Sequence, residues 1–255
     1  MGRGRSVKRE WDDFRVAAGF LTVLPTVREL DMPPERLARS MGLFPAVGLA
    51  MGLGLVIIDW LLGALIPRPV LDGLLVLVLI LVTGALHLDG IADLVDGLAG
   101  GRGDRERTLD IMKDSRVGAM AVVGVVMLLL LKYLSLYNVP LEHKKAALLL
   151  MPCAGRWIQV VLAAFCRYLR PEGTAAAFVE QVGERETLLA TATLLLACFI
   201  LFGLKGVLLL FLLGLAAVVL IRYFDTRLGG VTGDVLGAAT EIVEVLSLIL
   251  VLAVV

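Results

Sequence analysis

The sequence predicts an all-α fold: a polytopic membrane bundle of about seven transmembrane helices, with the N-terminus cytoplasmic. Three observations carry this. Of the 255 residues, 59% are hydrophobic, against about 45–50% in a soluble domain. The excess sits in charge-free runs such as 117–131, 191–202 and 207–221, which read as membrane spans when extended to about 20 residues. Lys and Arg, finally, are unevenly shared among the segments between these runs.

Taken in order, the spans are expected at roughly 43–66, 70–88, 117–137, 146–168, 187–204, 206–221 and 236–255. The weakest boundary is Lys205-Gly206, which reads as a tight turn or as part of one bent helix. Residues 11–24 are apolar on one side only, as in an interfacial helix, and Pro25 would end it. A cytoplasmic N-terminus puts 18 of the 24 Lys and Arg residues on inner segments and four on outer ones, as the positive-inside rule requires. Seven crossings then leave the C-terminus outside. No internal repeat is evident, so one integral membrane domain, 1–255, is expected, with 1–42 as its cytoplasmic or interfacial N-terminal segment. No cleaved signal peptide is expected, because no short apolar region with a small-residue cleavage site follows the basic start.

A net charge of zero supplies no basic field for nucleic acid, and no such partner is expected. Cys153, Cys166 and Cys198 lie in apolar stretches at spacings that match no zinc or redox pattern.

The chemistry concentrates in two acidic clusters, both on the inner side. In the first, Thr83-Gly84-Ala85-Leu86-His87-Leu88-Asp89-Gly90-Ile91-Ala92-Asp93-Leu94-Val95-Asp96-Gly97 begins in an apolar helix and runs out of its cytoplasmic end. Asp89, Asp93 and Asp96 fall within about 60° on a helical wheel. Like charges at that spacing repel, and three carboxylates at a membrane edge call for a cation. Mg²⁺ suits them, since it takes hard oxygen ligands and is often shared with substrate phosphates. Gly97, Gly100, Gly101 and Gly103 would let the backbone approach a ligand closely. Arg102, and then Lys113 and Arg116, are candidate phosphate contacts.

The second cluster is Gly229-Gly230-Val231-Thr232-Gly233-Asp234, followed by Glu241 and Glu244. Asp234 and Glu241 are about 20° apart on a helix, Glu244 about 80° from Asp234. Thr232 or Asp234 would cap that helix. Capping does not explain two glutamates inside an otherwise apolar span, which point to the bundle interior. Arg156, also within a span, would pair with Glu244 or Glu241 or meet an anionic substrate; the sequence does not separate these. His87 borders the first cluster.

These residues imply a Mg²⁺-dependent site for a phosphate-containing substrate, suited to diphosphate cleavage with transfer to an alcohol. The first cluster has a partial likeness to CDP-alcohol phosphotransferases but lacks their Ala-Arg after the first Asp-Gly. A transporter would carry charges near the midplane on paired half-helices, whereas these acidic motifs lie mostly at one membrane edge.

A closer likeness covers residues from about 14 to 250. The stretch 83–96, Gly100-Gly101-Arg102, Ile111-Met112-Lys113-Asp114-Ser115-Arg116-Val117-Gly118, the segment 229–237, Phe44-Pro45-x-x-Gly48 and Arg156-Trp157 together resemble the cobalamin synthase family, adenosylcobinamide-GDP ribazoletransferase. Two departures stand out: Ala85 where the family has a second Gly, and Val23 where it has Arg. The resemblance implies that α-ribazole, or its 5′-phosphate, attacks the phosphate joined to cobinamide, releasing GMP and forming adenosylcobalamin or its phosphate. It also implies a multi-pass protein of the cell inner (cytoplasmic) membrane with its active site facing the cytoplasm. Within that reading Asp89, Asp93 and Asp96 would hold Mg²⁺ and Asp234 and Glu241 a second ion or act as general base. Asp89, Asp93, Asp234 and Glu241 are the expected catalytic set, while His87, Arg102, Lys113, Arg116, Arg156 and Thr232 would contact substrate. Adenosylcobinamide-GDP, α-ribazole and membrane lipid are the expected partners, and a homo-oligomer is compatible with the sequence.

Overall fold

The computed structural model describes residues 2–26, 33–170, 175–179 and 181–255. Parts of the N-terminal segment 1–42, namely residue 1 and 27–32, lie outside the described residues. The chain is helical nearly throughout: α1 Gly2–Leu21, α2 Pro34–Met41, α3 Phe44–Leu62, α4 Arg68–Val82, α5 Leu86–Gly101, α6 Arg105–Ile111, α7 Ala119–Asn138, α8 Leu141–Phe165, α9 Ala176–Val179, α10 Glu184–Phe202, α11 Leu204–Leu228 and α12 Gly233–Val254. Six of these (α3, α7, α8, α10, α11 and α12) are long and apolar enough to cross a membrane. The pair α4 and α5 makes a seventh candidate only if counted together, and it is bent by 90°.

That bend corrects the expectation of one helix running out of the second span. Gly84 and Ala85 both adopt left-handed backbone, at φ 61° and 58°. The Gly84 N–H donates to the Leu81 carbonyl and the Ala85 N–H to that of Ile80, the paired bonds of a Schellman motif. The Thr83 hydroxyl bonds back to the Leu79 and Ile80 carbonyls. The helix therefore ends, and α5 starts afresh across the bundle. The uncertain boundary at Lys205-Gly206 is a break placed just before those residues: Gly203, at φ 58°, separates α10 from α11, and Lys205 and Gly206 lie in the first turn of α11. Gly206 packs so closely on α10 that a Cβ there would come within 2.0 Å of the Cys198 carbonyl.

Burial orders the bundle. α8 is 83% buried and α12 72%, against 22–39% for the other spans, so these two form its centre. Small residues let α3 lie against α8: a Cβ on Gly48 or Gly52 would meet the Pro152 or Leu148 carbonyl at 2.4 or 2.6 Å. This is the close approach that small-xxx-small spacing permits between membrane helices. Outer faces carry exposed Ile57 and Trp60 on α3, Val126 and Leu130 on α7, and Phe211 and Leu215 on α11, as expected of surfaces that meet lipid. Lys144, in the first turn of α8, is buried; it pairs with Asp72 at 3.0 Å and donates to the Leu136 carbonyl at the end of α7. At the same end of the bundle, where His143 lies beside Phe202, Lys205 donates to the Val255 carbonyl at 3.3 Å, so the α10–α11 turn and the C-terminus share that side.

Candidate active site

Two helix N-termini are brought together by glycine. A Cβ on Gly90 would lie 2.4 Å from the Asp234 carbonyl, and one on Gly237 would lie 3.3 Å from the His87 backbone. α5 and α12 thus cross almost in backbone contact, which brings Asp89 and Asp93 of α5 within electrostatic reach of Asp234 in the first turn of α12. The loop after α8 completes the arrangement. The Leu169 N–H donates to the Val231 carbonyl and the Val231 N–H to the Arg167 carbonyl, both at 2.9 Å. This short bridge carries Arg170 to the cluster, where Nη2 lies 2.8 Å from Asp234 Oδ2 and 3.3 Å from the Met112 carbonyl. Asp89, Asp234, His87, Gln159, Tyr168 and Arg170 line a cavity of about 200 Å³ there. Asp93 stands within electrostatic reach of Asp234, Asp89 and Asp96, with Arg170 as an opposing charge.

Other residues singled out in the sequence have different neighbours. Asp96 faces α7: its carboxylate accepts from the Gly118 N–H at 2.5 Å and the Ala121 N–H at 2.8 Å, satisfying two of the orphan donors of that helix start. Glu241 lies deeper, with Lys132 Nζ 2.5 Å away, and the same ammonium is 2.5 Å from Glu244. Arg156 pairs with Glu244, which answers the choice the sequence left open. These four groups are all buried and their charges cancel. Thr232 is buried and is the cap of α12, accepting from the Val235 N–H at 3.3 Å.

The expected phosphate loop is differently built. Gly97, Gly100 and Gly101 are still within α5, and a Cβ on Gly101 would strike the Thr108 hydroxyl at 1.9 Å. These glycines admit α6 rather than opening a loop; only Gly103, at φ 93°, has open space beside it. Arg102 ends α5 in left-handed backbone and is exposed. Lys113 and Arg116 are exposed and paired with Asp110 at 3.5 Å and Asp114 at 2.5 Å. Hydrogen bonds from Arg116 hold the Asp114 carboxyl down at about 2.

His87 is buried, and its hydrogen-bond partners determine its tautomer. The Thr240 hydroxyl donates to the Leu236 carbonyl at 2.9 Å, so it can only accept from Gln159, whose Nε2 is 2.6 Å away. That nitrogen is also 2.9 Å from His87 Nε2. An amide nitrogen has only donors to offer, so His87 Nε2 accepts and the proton sits on Nδ1. Nδ1 is buried and has no partner among the described residues, in a residue that lines the acidic cavity.

The donor set is hard: three aspartates and no thiolate. As placed, no three such groups among the described residues converge enough to enclose an ion. Mg²⁺ does not require it, because it keeps several waters and commonly takes one or two carboxylates plus substrate phosphate. Sequence reasoning did not single out Arg170, Tyr168 or Gln159. Arg170 entered only the count of inner basic residues, and nothing local marks it as a partner of Asp234.

The family described as cobalamin-5-phosphate synthase matches residues 13–252. An adenosylcobinamide-GDP ribazoletransferase of Geotalea daltonii is 43% identical, covering 94% of this chain and 96% of its own. Proteins of the same name from Desulforamulus reducens and Stutzerimonas stutzeri are 36% and 42% identical, covering 95% and 90% of this chain and 96% and 93% of their own. No solved structure matches the chain.

Proposed function

The chain belongs to the cobalamin-5-phosphate synthase family, and on that premise we propose that it is an adenosylcobinamide-GDP ribazoletransferase, not a CDP-alcohol enzyme or a transporter. A hydroxyl of α-ribazole, or of its 5′-phosphate, attacks the phosphorus joined to cobinamide. The bond from that phosphorus to the bridging oxygen breaks, and GMP leaves with the electron pair. The hydroxyl proton passes to a carboxylate of the cluster.

The observation that carries this reading is the meeting of Asp89 and Asp234, from two helices, on one cavity beside Arg170, with Asp93 within electrostatic reach of both. Asp89, Asp93 and Asp234 would hold Mg²⁺, which supplies charge neutralisation on the diphosphate. Arg170, bound to Asp234 here, exchanges that partner for a phosphate oxygen when the donor enters. The Nδ1–H of His87 donates to an oxygen of the same group. Fixed donors and charges of this kind do most of the work in phosphoryl transfer. Asp96, Glu241 and Arg156 support the site from outside it, through the start of α7 and the buried charge network. The cavity faces the cytoplasm of the inner membrane in this reading, supported by the concentration of Lys and Arg on the same segments.

Lipid-reconstituted protein given adenosylcobinamide-GDP and α-ribazole should form GMP and a cobalamin product with Mg²⁺ and neither with EDTA. No product from a folded sample would overturn the activity, and an undiminished rate in EDTA would overturn the metal.

A further inference from the structure

The acidic cavity, at about 200 Å³, is smaller than the roughly 300–1,000 Å³ of typical ligand pockets. It has room for reacting phosphates but not for a nucleotide. A second cavity of about 590 Å³ adjoins it, and Tyr168 belongs to both walls. Leu109 of α6, Ala163 of α8 and Val179 of α9 make its apolar side; Arg105 and Arg167 supply its charge. Among the described residues neither guanidinium has an ion-pair partner, unlike Arg68, Arg116, Arg156 and Arg170.

The Gly229-Gly230 turn, which the acidic site does not explain, sets both arginines. Gly229 ends α11 at φ 71°, and a Cβ there would come within 2.4 Å of Arg105 Nη1. Gly230, at φ 149°, leaves room for the Arg167 carbonyl, which a Cβ would approach to 2.1 Å. The Arg167 backbone is then clasped by the Val231 N–H. Side chains at either glycine would displace an arginine or the loop that carries it.

We propose that this second cavity binds a nucleoside 5′-phosphate: the base against the Leu109, Ala163 and Val179 wall, the phosphate between Arg105 and Arg167. This rests on the ribazoletransferase reading, in which two groups of that chemistry occur, the guanylate of the donor and the phosphate of α-ribazole 5′-phosphate. Guanylate gains negative charge as it leaves, so two cations beside it favour cleavage as well as binding.

Direct titration of the reconstituted protein with GMP, and separately with α-ribazole 5′-phosphate, tests this without turnover. At least one should bind, and Arg105→Ala and Arg167→Ala should each weaken it about tenfold, with thermal unfolding unchanged. In the steady state a guanylate site raises KM for adenosylcobinamide-GDP and Ki for GMP together. An acceptor site instead raises KM for α-ribazole 5′-phosphate and not for α-ribazole. Folded variants that bind both nucleotides like the wild type would overturn the proposal. If the ribazoletransferase reading alone is wrong, product is absent while arginine-dependent GMP binding persists.

Discussion

Lys132→Met tests whether Glu241 belongs to a structural charge network or to the reaction. Lys132 is 1% exposed, and its ammonium touches Glu241 and Glu244, while Arg156 holds the other side of Glu244. Two cations face two carboxylates, so the group is neutral as a whole. Removing the Lys132 charge leaves one excess negative charge inside the bundle. Breaking a buried pair from one side costs about 3–5 kcal/mol. For a chain of this size that is a fall of about 6–20 °C in the unfolding midpoint. Adding Glu241→Gln to Lys132→Met restores neutrality and leaves Arg156 with Glu244. The double variant should therefore unfold later than the sum of the single effects, with a coupling of at least about 2 kcal/mol. The assay is thermal unfolding in one fixed detergent–lipid mixture, read beside turnover at saturating Mg²⁺. Additive losses, or a loss below about 1 kcal/mol for Lys132→Met, would refute the network argument. A Glu241→Gln protein that unfolds like the wild type but has lost turnover would return Glu241 to the metal-binding role that its helical spacing suggested.

Three further tests follow from local geometry. Ala85 sits at φ 58°, where an L-residue loses about 1–2 kcal/mol and glycine gives back about 0.4–1 kcal/mol as chain entropy; Ala85→Gly should raise the unfolding midpoint by a few degrees, and a drop would contradict the left-handed turn. Asp96→Ala removes the acceptor for two N–H groups at the start of α7 and should cost about 1–2 kcal/mol, whereas exposed Asp89→Asn should leave unfolding unchanged and cut turnover at least about 100-fold; the reverse pattern would exchange their roles. His87→Asn keeps a donor near the Nδ1 position and His87→Gln one near Nε2, so the Asn variant should retain more kcat, and a more active Gln variant would reverse the tautomer assigned through Gln159 and Thr240.

Much of the architecture was legible in the chain itself. Crossings follow from the lengths of apolar runs, because hydrocarbon tolerates only backbone whose polar groups are satisfied internally. Asp89, Asp93 and Asp234 were legible for a related reason: carboxylates in apolar surroundings are costly without a role. The break at 83–85 had a local signal as well, since Thr83-Gly84 is a helix C-terminus in its own right, but the hydrophobic run across it masked the stop.

Partner choice was not legible. Asp96 has the same spacing to Asp89 as Glu241 has to Asp234, yet one side chain turns to α7 and the other reaches Lys132, 109 positions away in sequence. Helical periodicity states which residues share a face and is silent on what that face meets. Arg170 reaches Asp234 only because a two-bond bridge joins the loop after α8 to the turn before α12. Sequence alone determined which groups are too polar for the bilayer and on which segments they lie. Tertiary structure decided which of them neutralise one another, because charge pairing depends on distances of a few ångströms between helices far apart in the chain.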